Sequence, residues 1–528
     1  MRARIALAAL LLAGAPRAAA PYAVPIHQLL PLHALAGDAA LKEELPAVGA
    51  DELAAFRTWL DARFREHPDP AVRARYVARW PTPQAFDTRS FKRLMGLNED
   101  RPSSAFDRAE GLPCTALQAL SVGSGQPDTD YQNRDRFAHD AAGRPMKLPD
   151  GRDVPADPLI LNMGNARGLS SQACAHYGLT AEPLTSDAEV LKTEPWRFAL
   201  PAGWPRGPVR TFARENCQLH YDLAVLAMLW GKPAGRGIAH LLLGQGMHYL
   251  EDVGNQVHTV QVGLRDLLVT ARLLQFERAV CTLGGYLADL KPWTKVGIDL
   301  LTTRHVISEN LNAKRIAEAL AGKPVPPVVR DTLAGLAQDD AELAGDIDRA
   351  VAKLAPAGRP ARAAAITGCV IERSCREGAD LYRHMSGALA PRMTRYGVLV
   401  DSEDVDPDST LGDANDPEVA AHLAAVYALQ ARAYRRVGTA LRRLYHAFAE
   451  DATPPEAARV ARVRAFADTL LAERLTELEG QEDRLAAYLA DPPAASATTV
   501  HEPVYLALPL LPLALLAYAV RRAWRARR

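Results

Sequence analysis

His248 and Asp252 have the residue types and the spacing of two metal ligands on one helix. Residues four apart project from the same helical face, so both side chains point in one direction. Imidazole and carboxylate are the ligands that zinc prefers outside thiolate sites. Gly254 is expected to end this helix and to let His258 turn back toward the same site. The segment therefore predicts a metal centre built from a helix end and the turn after it.

The same histidine–carboxylate spacing occurs twice more, in His305 with Glu309 and in His446 with Glu450. With 14 histidines and 62 acidic residues in 528 positions, chance predicts roughly 1.6 such pairs, so a match needs further support. The last pair lies in a long amphipathic stretch and is most simply an ion pair on a helix surface. Spacing alone is therefore weak evidence for a metal site.

The residues around the ligands give a more specific indication. The segment MHYLEDVGNQVH, residues 247–258, resembles the LHYLGDVNQPMH-type core of the bacterial zinc-dependent phospholipase C family, which shares its fold with single-strand-specific zinc nucleases. HVISEN, residues 305–310, is similar to the H-x3-E-N element of that family. DTDYQN, residues 128–133, is similar to its Asp-Tyr-x-Asn element. The three motifs follow one another in the family's order, although Glu251 stands where a glycine is common.

The resemblance implies a multi-helix fold and a cluster of two to three zinc ions, with Asp252 bridging two of them. One further ligand is a histidine, for which His176 fits the sequence context best and His139 fits the spacing better. Another is an N-terminal histidine, for which His27 is the candidate with His33 behind it. The terminal tryptophan that the family uses beside it has no counterpart near the predicted mature N-terminus. The implied metal ligands are His27, Asp130, His176, His248, Asp252, His258, His305 and Glu309.

The resemblance also implies a reaction, the hydrolysis of a phosphodiester by a metal-activated water. Clustered zinc ions neutralise the phosphate and lower the pKa of a bound water toward about 7. Asp130 and Glu309 are the candidates to orient or deprotonate that water. Neither a GxSxG elbow nor a P-loop occurs in the sequence to indicate another chemistry.

Phospholipids are the expected substrates, because the chain also carries a predicted membrane anchor. The alternatives are a zinc-dependent single-strand nuclease or nucleotidase and a non-catalytic, zinc-containing scaffold tethered to the membrane. Lysine plus arginine and aspartate plus glutamate both number 62. This balance gives no general attraction to nucleic acid, so no specific nucleic-acid partner is expected unless the nuclease alternative holds.

Both ends of the chain predict an exported protein held at a membrane. Residues 1–20 have the basic start, the apolar run and the small-residue end of a signal peptide. Residues 504–520 are apolar and nearly long enough to cross a bilayer, and arginines crowd residues 521–528. Because arginines beside a span stay in the cytoplasm, we expect a single-pass protein of the cell membrane. Its main domain would face the periplasm or the outside.

Between these ends the sequence predicts an all-α protein. Only 6% of residues are aromatic, while alanine and leucine are abundant, which favours helices over sheets. We expect a helical catalytic domain over residues 21–400, an acidic linker over 401–418, and a helical hairpin or stalk over 419–500. Helical periodicity is strongest over residues 51–65, 71–79, 211–230, 237–253, 264–290, 298–321, 331–354, 361–388 and 419–489.

Two local features complete the sequence-based picture. Residues 111–178 are rich in Gly, Pro, Asp and Asn and are predicted to form long connected loops. The chain has six cysteines, none with CxxC spacing. If disulfides form after export, Cys369 and Cys375 are the expected pair because the loop between them is short.

Overall fold

The structure is a computed structural model in which only part of the chain is described. The described residues are 24–97, 114–130, 138, 140, 144–149, 151, 154, 213–259, 293–354, 361–389 and 407–491. For residues 24–25, 128–130, 293–306, 379 and 382 the description is limited to the backbone. Within these ranges the regular elements are helices, with isolated β-bridges such as Glu44–Thr115, which confirms the all-α fold class.

The helices agree closely with the ranges that periodicity predicts, apart from 331–354, which divides into two helices. In chain order they are α1 Val24–Ala34, α2 Ala50–Arg65, α3 Pro70–Arg79, α4 Thr88–Met95, α5 Ala116–Asp130, α6 Ala213–Trp230, α7 Pro233–Gly254, α8 Trp293–Leu320, α9 Pro327–Gly335, α10 Ala341–Ala352, α11 Arg362–Ala388, α12 Pro407–Thr410, α13 Pro417–Ala452 and α14 Glu456–Ala490. A 3-10 turn, Gln256–Thr259, follows α7. The predicted helix over residues 264–290 lies outside the described residues.

Helix α7 lies at the centre of the fold and is buried along almost its whole length. A tight turn joins it to α6 at Gly231, whose φ of 77° falls in the left-handed region that glycine adopts most readily. The two helices therefore form a hairpin. Helix α5 packs against α7 on one side, and α1, α11 and α13 also contact it. The end of α7 is thus surrounded by helices that come from distant parts of the sequence.

Two glycines allow α5 and α7 to cross at very short distance. A Cβ added to Gly123 would lie 2.2 Å from the backbone oxygen of Leu241. A Cβ added to Gly244 would lie 2.3 Å from the backbone oxygen of Leu120. These distances are far inside van der Waals contact, so each helix has a glycine where the other backbone passes. The crossing places Ser124 of α5 directly against the last turns of α7.

The last two helices, α13 and α14, belong to the same hydrophobic core as the rest. Leu441 of α13 and Leu471 of α14 are buried in the cluster that contains Leu243 of α7. Arg79 of α3 pairs with Glu482 of α14 at 2.5 Å, which fastens the C-terminal helix to the N-terminal ones. Two long helices thus follow the linker, and they pack along the body of the protein. Helix α13 packs mainly against α11 and α9, and α14 packs mainly against α6 and α2.

The acidic segment 401–418 is described from residue 407 onward. Asp408 at the start of α12 accepts hydrogen bonds from Lys314 and Arg315 of α8, both at 2.6 Å. Leu411 then forms a bridge with Leu389 at the end of α11. This part of the linker is consequently attached to the helices around it and is not a freely solvated connection.

Two sequence-based expectations are wrong. Residues 116–130 form α5 and not a loop, because the glycines that suggested a loop serve the close crossing with α7. Cys369 and Cys375 do not form the expected disulfide, since both lie on α11. Six helical residues correspond to a rise of about 9 Å, which is beyond the roughly 7 Å Cα separation that a disulfide can span.

The terminal segments lie outside the described residues, so the predicted signal peptide, membrane span and basic tail stay predictions. Among the helices that the structure does describe, none combines the length and the apolar character needed to cross a bilayer.

Candidate metal centre

The last turns of α7 carry the first two candidate ligands. His248 Nε2 lies 3.1 Å from Asp252 Oδ2, and both side chains are almost completely buried. The four-residue spacing brings the two groups to one helical face, as the sequence predicts. Polar groups this far from solvent need a partner, because an isolated buried charge is strongly unfavourable.

A third side chain arrives from α1, more than two hundred residues away in sequence. His27 Nε2 lies 3.3 Å from Asp252 Oδ1, on the other oxygen of that carboxylate. The rings of His27 and His248 have their centroids 4.2 Å apart. Donor atoms of His27, His248 and Asp252 all lie within 4.8 Å of one another, and all three residues are buried. This buried cluster could hold a metal ion.

A second layer of contacts sets the orientation of both histidine rings. His248 Nδ1 donates to the backbone oxygen of Ser124 at 2.8 Å, which leaves Nε2 to face Asp252. His27 Nδ1 lies 2.7 Å from Glu251 Oε2, which again leaves Nε2 for Asp252. The Ser124 hydroxyl donates to the same Glu251 oxygen at 2.6 Å. Outer contacts of this kind fix the tautomer and the direction of metal-ligating histidines.

A further pair of candidate ligands meets beside Asp252. His258 Nε2 lies 2.8 Å from Glu309 Oε1 and 3.6 Å from Asp252 Oδ1, the oxygen that His27 also faces. His258 comes from the 3-10 turn after α7 and Glu309 from the middle of α8. Asp252 therefore has His248 at one carboxylate oxygen and both His27 and His258 at the other.

The turn that carries His258 is held by a buried polar network. Gln256 Nε2 donates to Glu377 Oε2 at 2.8 Å and approaches the backbone oxygen of Leu429 at 3.2 Å. Arg436 of α13 donates to both oxygens of Glu377, at 2.9 and 2.5 Å. The position of His258 thus depends on α11 and α13, which lie far outside the segments that resemble the family.

Burial and mutual contacts shift the pKa values of the ionisable groups in the cluster. Burial disfavours a charge on His27, but its hydrogen bonds to Asp252 and Glu251 outweigh burial and raise the pKa of His27 well above its usual value. Burial raises the pKa of Glu251, while His27 and Ser124 act in the opposite direction. Burial also raises the pKa of Glu309 well above its usual value. A bound cation would favour the ionised form of these carboxyl groups.

A small cavity adjoins these side chains. Its volume is about 40 Å³, and one water molecule needs roughly 10–15 Å³ of such a cavity. An ion with one or two waters therefore fits. Among the ionisable groups of the site, the cavity is lined by His27, Glu251, Asp252, His258 and Glu309. The rest of its lining is the mainly apolar Ile26, Leu30, Gly254, Ala433, Tyr434 and Val437 and the amides Asn255, Asn312 and Gln430.

The residues present suit a divalent first-row metal such as zinc. Imidazole nitrogens and carboxylate oxygens are its preferred donors outside thiolate sites. Glu251 Oε1 is a buried oxygen for which the described part of the chain offers no hydrogen-bond partner. An unpartnered anionic oxygen at this depth fits a site that a cation completes.

The structure brings together five of the eight sequence-predicted ligands: His27, His248, Asp252, His258 and Glu309. His176 and its competitor His139 lie outside the described residues. Asp130 ends α5 and His305 lies on α8 one turn before Glu309, but their side chains are not described. Of the two N-terminal candidates, His27 is the residue that faces Asp252.

Sequence reasoning missed Glu251, whose side chain it treated only as a departure from the family. The available signal was its place three residues after His248, which is also a neighbouring helical position. It also missed Tyr434, for which the sequence offered no signal, because α13 reaches the cavity only through the tertiary fold. His220 of α6 is also buried, with its ring 5.5 Å from that of Tyr249, the residue that follows His248.

Comparisons with protein-family models, with curated proteins and with solved structures return no match. The resemblance to zinc-dependent phospholipases C rests on the three sequence motifs.

Proposed function

We propose that this protein is a zinc-dependent phosphoester hydrolase that acts on phospholipids in the manner of a phospholipase C. The observation that carries the proposal is the buried convergence of His27, His248 and Asp252, with His258 and Glu309 beside the same carboxylate. This order of ligands is the one that the family resemblance implies. The proposal includes zinc as the metal, the phospholipase C-like fold and the C-terminal membrane anchor.

His27 and His248 would hold one zinc ion with Asp252, and His258 with Glu309 would hold another. Zinc in such a centre neutralises phosphate charge and lowers the pKa of a bound water toward about 7. Ser124 and Glu251 keep the two Nε2 atoms directed at Asp252. Glu309 is positioned by His258, and it is the described candidate to orient the attacking water. Asp130 keeps the same candidate role from the sequence.

The surroundings of the cavity favour a lipid over a nucleic acid. Aliphatic side chains from α1 and α13 form much of its wall, including Ile26, Leu30 and Val437. A nuclease needs aromatic faces on which bases stack, and among the residues that line this cavity Tyr434 is the aromatic one. Walls of this type suit the glycerol and acyl portions of a phospholipid.

Metal analysis of the full-length chain, purified in detergent, tests the proposal first. At least one zinc per chain is expected, and Asp252→Asn should lower that content while Glu450→Gln should not. A wild-type content well below one zinc per chain would rule out the enzyme and leave a helical scaffold.

Substrate assays then separate the remaining classes. Phosphatidylcholine in mixed micelles, a chromogenic phosphocholine ester and single-stranded DNA should be offered side by side. Release of phosphocholine from the lipid, abolished in Asp252→Asn, is expected. Cleavage of DNA without lipid hydrolysis would overturn the lipid assignment in favour of the nuclease.

A further inference from the structure

We propose that Glu251 and Ser124 form a brace that makes His27 a competent metal ligand, with Glu251 as the positioning residue. The inference rests on the proposed metal centre and adds to it a determinant of metal affinity. Glu251 occupies a place where the resembling family commonly has glycine. The brace is therefore a property of this chain and not one that the resemblance supplies.

The hydrogen bonds that form the brace join buried side chains. The carboxylate of Glu251 is fully buried, and its Oε2 accepts from His27 Nδ1 at 2.7 Å and from the Ser124 hydroxyl at 2.6 Å. The Ser124 hydroxyl also lies 3.1 Å from the backbone oxygen of His27. Glu251 of α7 thus orients the ring of His27, and Ser124 of α5 holds the Glu251 carboxylate.

His27 needs such a brace more than His248 and Asp252 do. His248 and Asp252 are placed by one rigid helix, whereas His27 arrives on the separate helix α1. Its ring can present either nitrogen to Asp252, and the Glu251 contact at Nδ1 selects Nε2 for that role. A carboxylate on the far nitrogen also makes the imidazole a stronger electron donor to a metal.

Ser124 links the two histidines through different atoms. Its hydroxyl serves Glu251, while its backbone oxygen accepts from His248 Nδ1 at 2.8 Å. Removing the hydroxyl alone leaves the His248 contact in place. The Ser124→Ala variant therefore probes the His27 side of the centre separately from the His248 side.

Glu251→Gln tests the contact between Glu251 and His27. It keeps the shape of the side chain and removes the carboxylate that accepts from His27 Nδ1. It is thus expected to weaken metal binding through His27.

Zinc affinity measured by chelator competition tests the brace without any assay of hydrolysis. Glu251→Gln should weaken zinc binding by roughly 10- to 100-fold, the usual effect of losing an outer partner of a ligand. Ser124→Ala should have a smaller effect in the same direction. The control is Glu477→Gln on α14, a mostly buried glutamate beside Arg484 that should leave zinc affinity unchanged.

A double-mutant cycle decides whether Glu251 acts through His27. In a His27→Ala background, Glu251→Gln should produce little further loss of zinc affinity, because the ligand that it positions is gone. The visible spectrum of the Co²⁺-substituted protein should change in Glu251→Gln and stay unchanged in Glu477→Gln. Equal losses with and without His27, or an unchanged affinity and spectrum in a folded Glu251→Gln, would overturn the brace.

The outcomes also separate the brace from the metal centre itself. A wild-type chain that binds neither zinc nor Co²⁺ overturns both proposals. A wild-type chain that binds zinc as tightly as its Glu251→Gln and Ser124→Ala variants overturns the brace alone. If Glu251→Gln fails to fold, Ser124→Ala in the presence and absence of His27 gives the same test.

Discussion

Two histidine–carboxylate pairs with the same four-residue spacing lie wholly within the described residues. One pair is buried and the other is exposed. His248 and Asp252 are buried at the end of α7, where His27 and His258 join them. His446 is exposed on α13, and Glu450 there pairs with Arg362 of α11 at 2.6 Å instead of with its own histidine. The expected ion pair between His446 and Glu450 is therefore wrong.

The difference lies in what other helices bring to each pair. At His248 and Asp252, helix α1 supplies the imidazole of His27, and Ser124 of α5 supplies a backbone oxygen to His248 and a hydroxyl to Glu251. At Glu450 the carboxylate is exposed and its partner is the guanidinium of Arg362, and surface pairs of this kind contribute about 0–1 kcal/mol. Four-residue spacing places two possible ligands on one helical face. Burial and the side chains that other helices bring make His248 and Asp252 a candidate metal centre.

Asp252→Asn should give the largest contrast between the two pairs. It removes the negative charge that faces His27, His248 and His258 together. Zinc affinity should fall by more than the roughly 10- to 100-fold expected for an outer partner, and phosphoester hydrolysis should be abolished. Zinc titration and hydrolysis assays check both effects. Retained activity would show that Asp252 does not bridge the metals.

Gly244→Ala should disrupt the close crossing of α5 and α7 that supports His248 and Asp252, without changing a candidate ligand. The added methyl would meet the backbone of Leu120, and relieving this overlap should cost roughly 3 kcal/mol or more of unfolding free energy. The matched control is Gly368→Ala on α11, where an added Cβ meets nothing within 4 Å. That change should stabilise the helix by about 0.5–1 kcal/mol. Denaturant unfolding that ranks the two variants alike would contradict the close crossing.

A third histidine, His220, shows what burial does in the absence of a carboxylate. Burial lowers the pKa of His220 to about 4, although the backbone oxygen of Asn216 accepts from its Nδ1. Because the unfolded chain binds the proton near pH 6.5, stability is present above that pH and is lost as the pH falls toward 4. Between pH 7 and pH 5 this histidine should account for roughly 2 kcal/mol.

The measurement for His220 is unfolding free energy against pH in the wild type and in His220→Gln. The variant should lose part of the acid sensitivity over that interval, whatever its stability at pH 7. Curves of equal slope for the two proteins would show that His220 takes up its proton without penalty in the folded state.

Glu450→Gln should have the smallest effect. It removes an ion pair to Arg362 on the exposed side of α13, so unfolding free energy should change by less than about 1 kcal/mol. Zinc content and hydrolysis should equal those of the wild type. A loss of zinc in this variant would mean that the surface pair is a metal site after all and that the contrast with Asp252 is misplaced.

Much of the local structure follows from the sequence. Apolar periodicity predicts α2, α3, α6, α7, α11, α13 and α14 close to their ends, because each helix buries a stripe whose spacing is visible in one dimension. The motif around residues 247–258 likewise places His248 and Asp252 on one helical face. Short-range order of this kind needs no knowledge of neighbours.

The prediction from local sequence fails at the glycines of α5. Gly123 and Pro127 make residues 116–130 resemble a loop, yet they form α5. Only the neighbour explains it: Gly123 is needed because the α7 backbone passes at a distance that no side chain allows. The sequence shows that glycine lowers the helix propensity of this segment, but it does not show the close packing that glycine allows.

The candidate site divides in the same way. The sequence by itself determined the ligand types, their order and the pair on α7, since those depend on residues a turn or two apart. The tertiary structure decided that His27 and not His33 faces Asp252, and that Glu251 holds it. It also brought α13 and Tyr434 to the cavity wall. These contacts join residues hundreds of positions apart, and they exist only because the helices pack into one core.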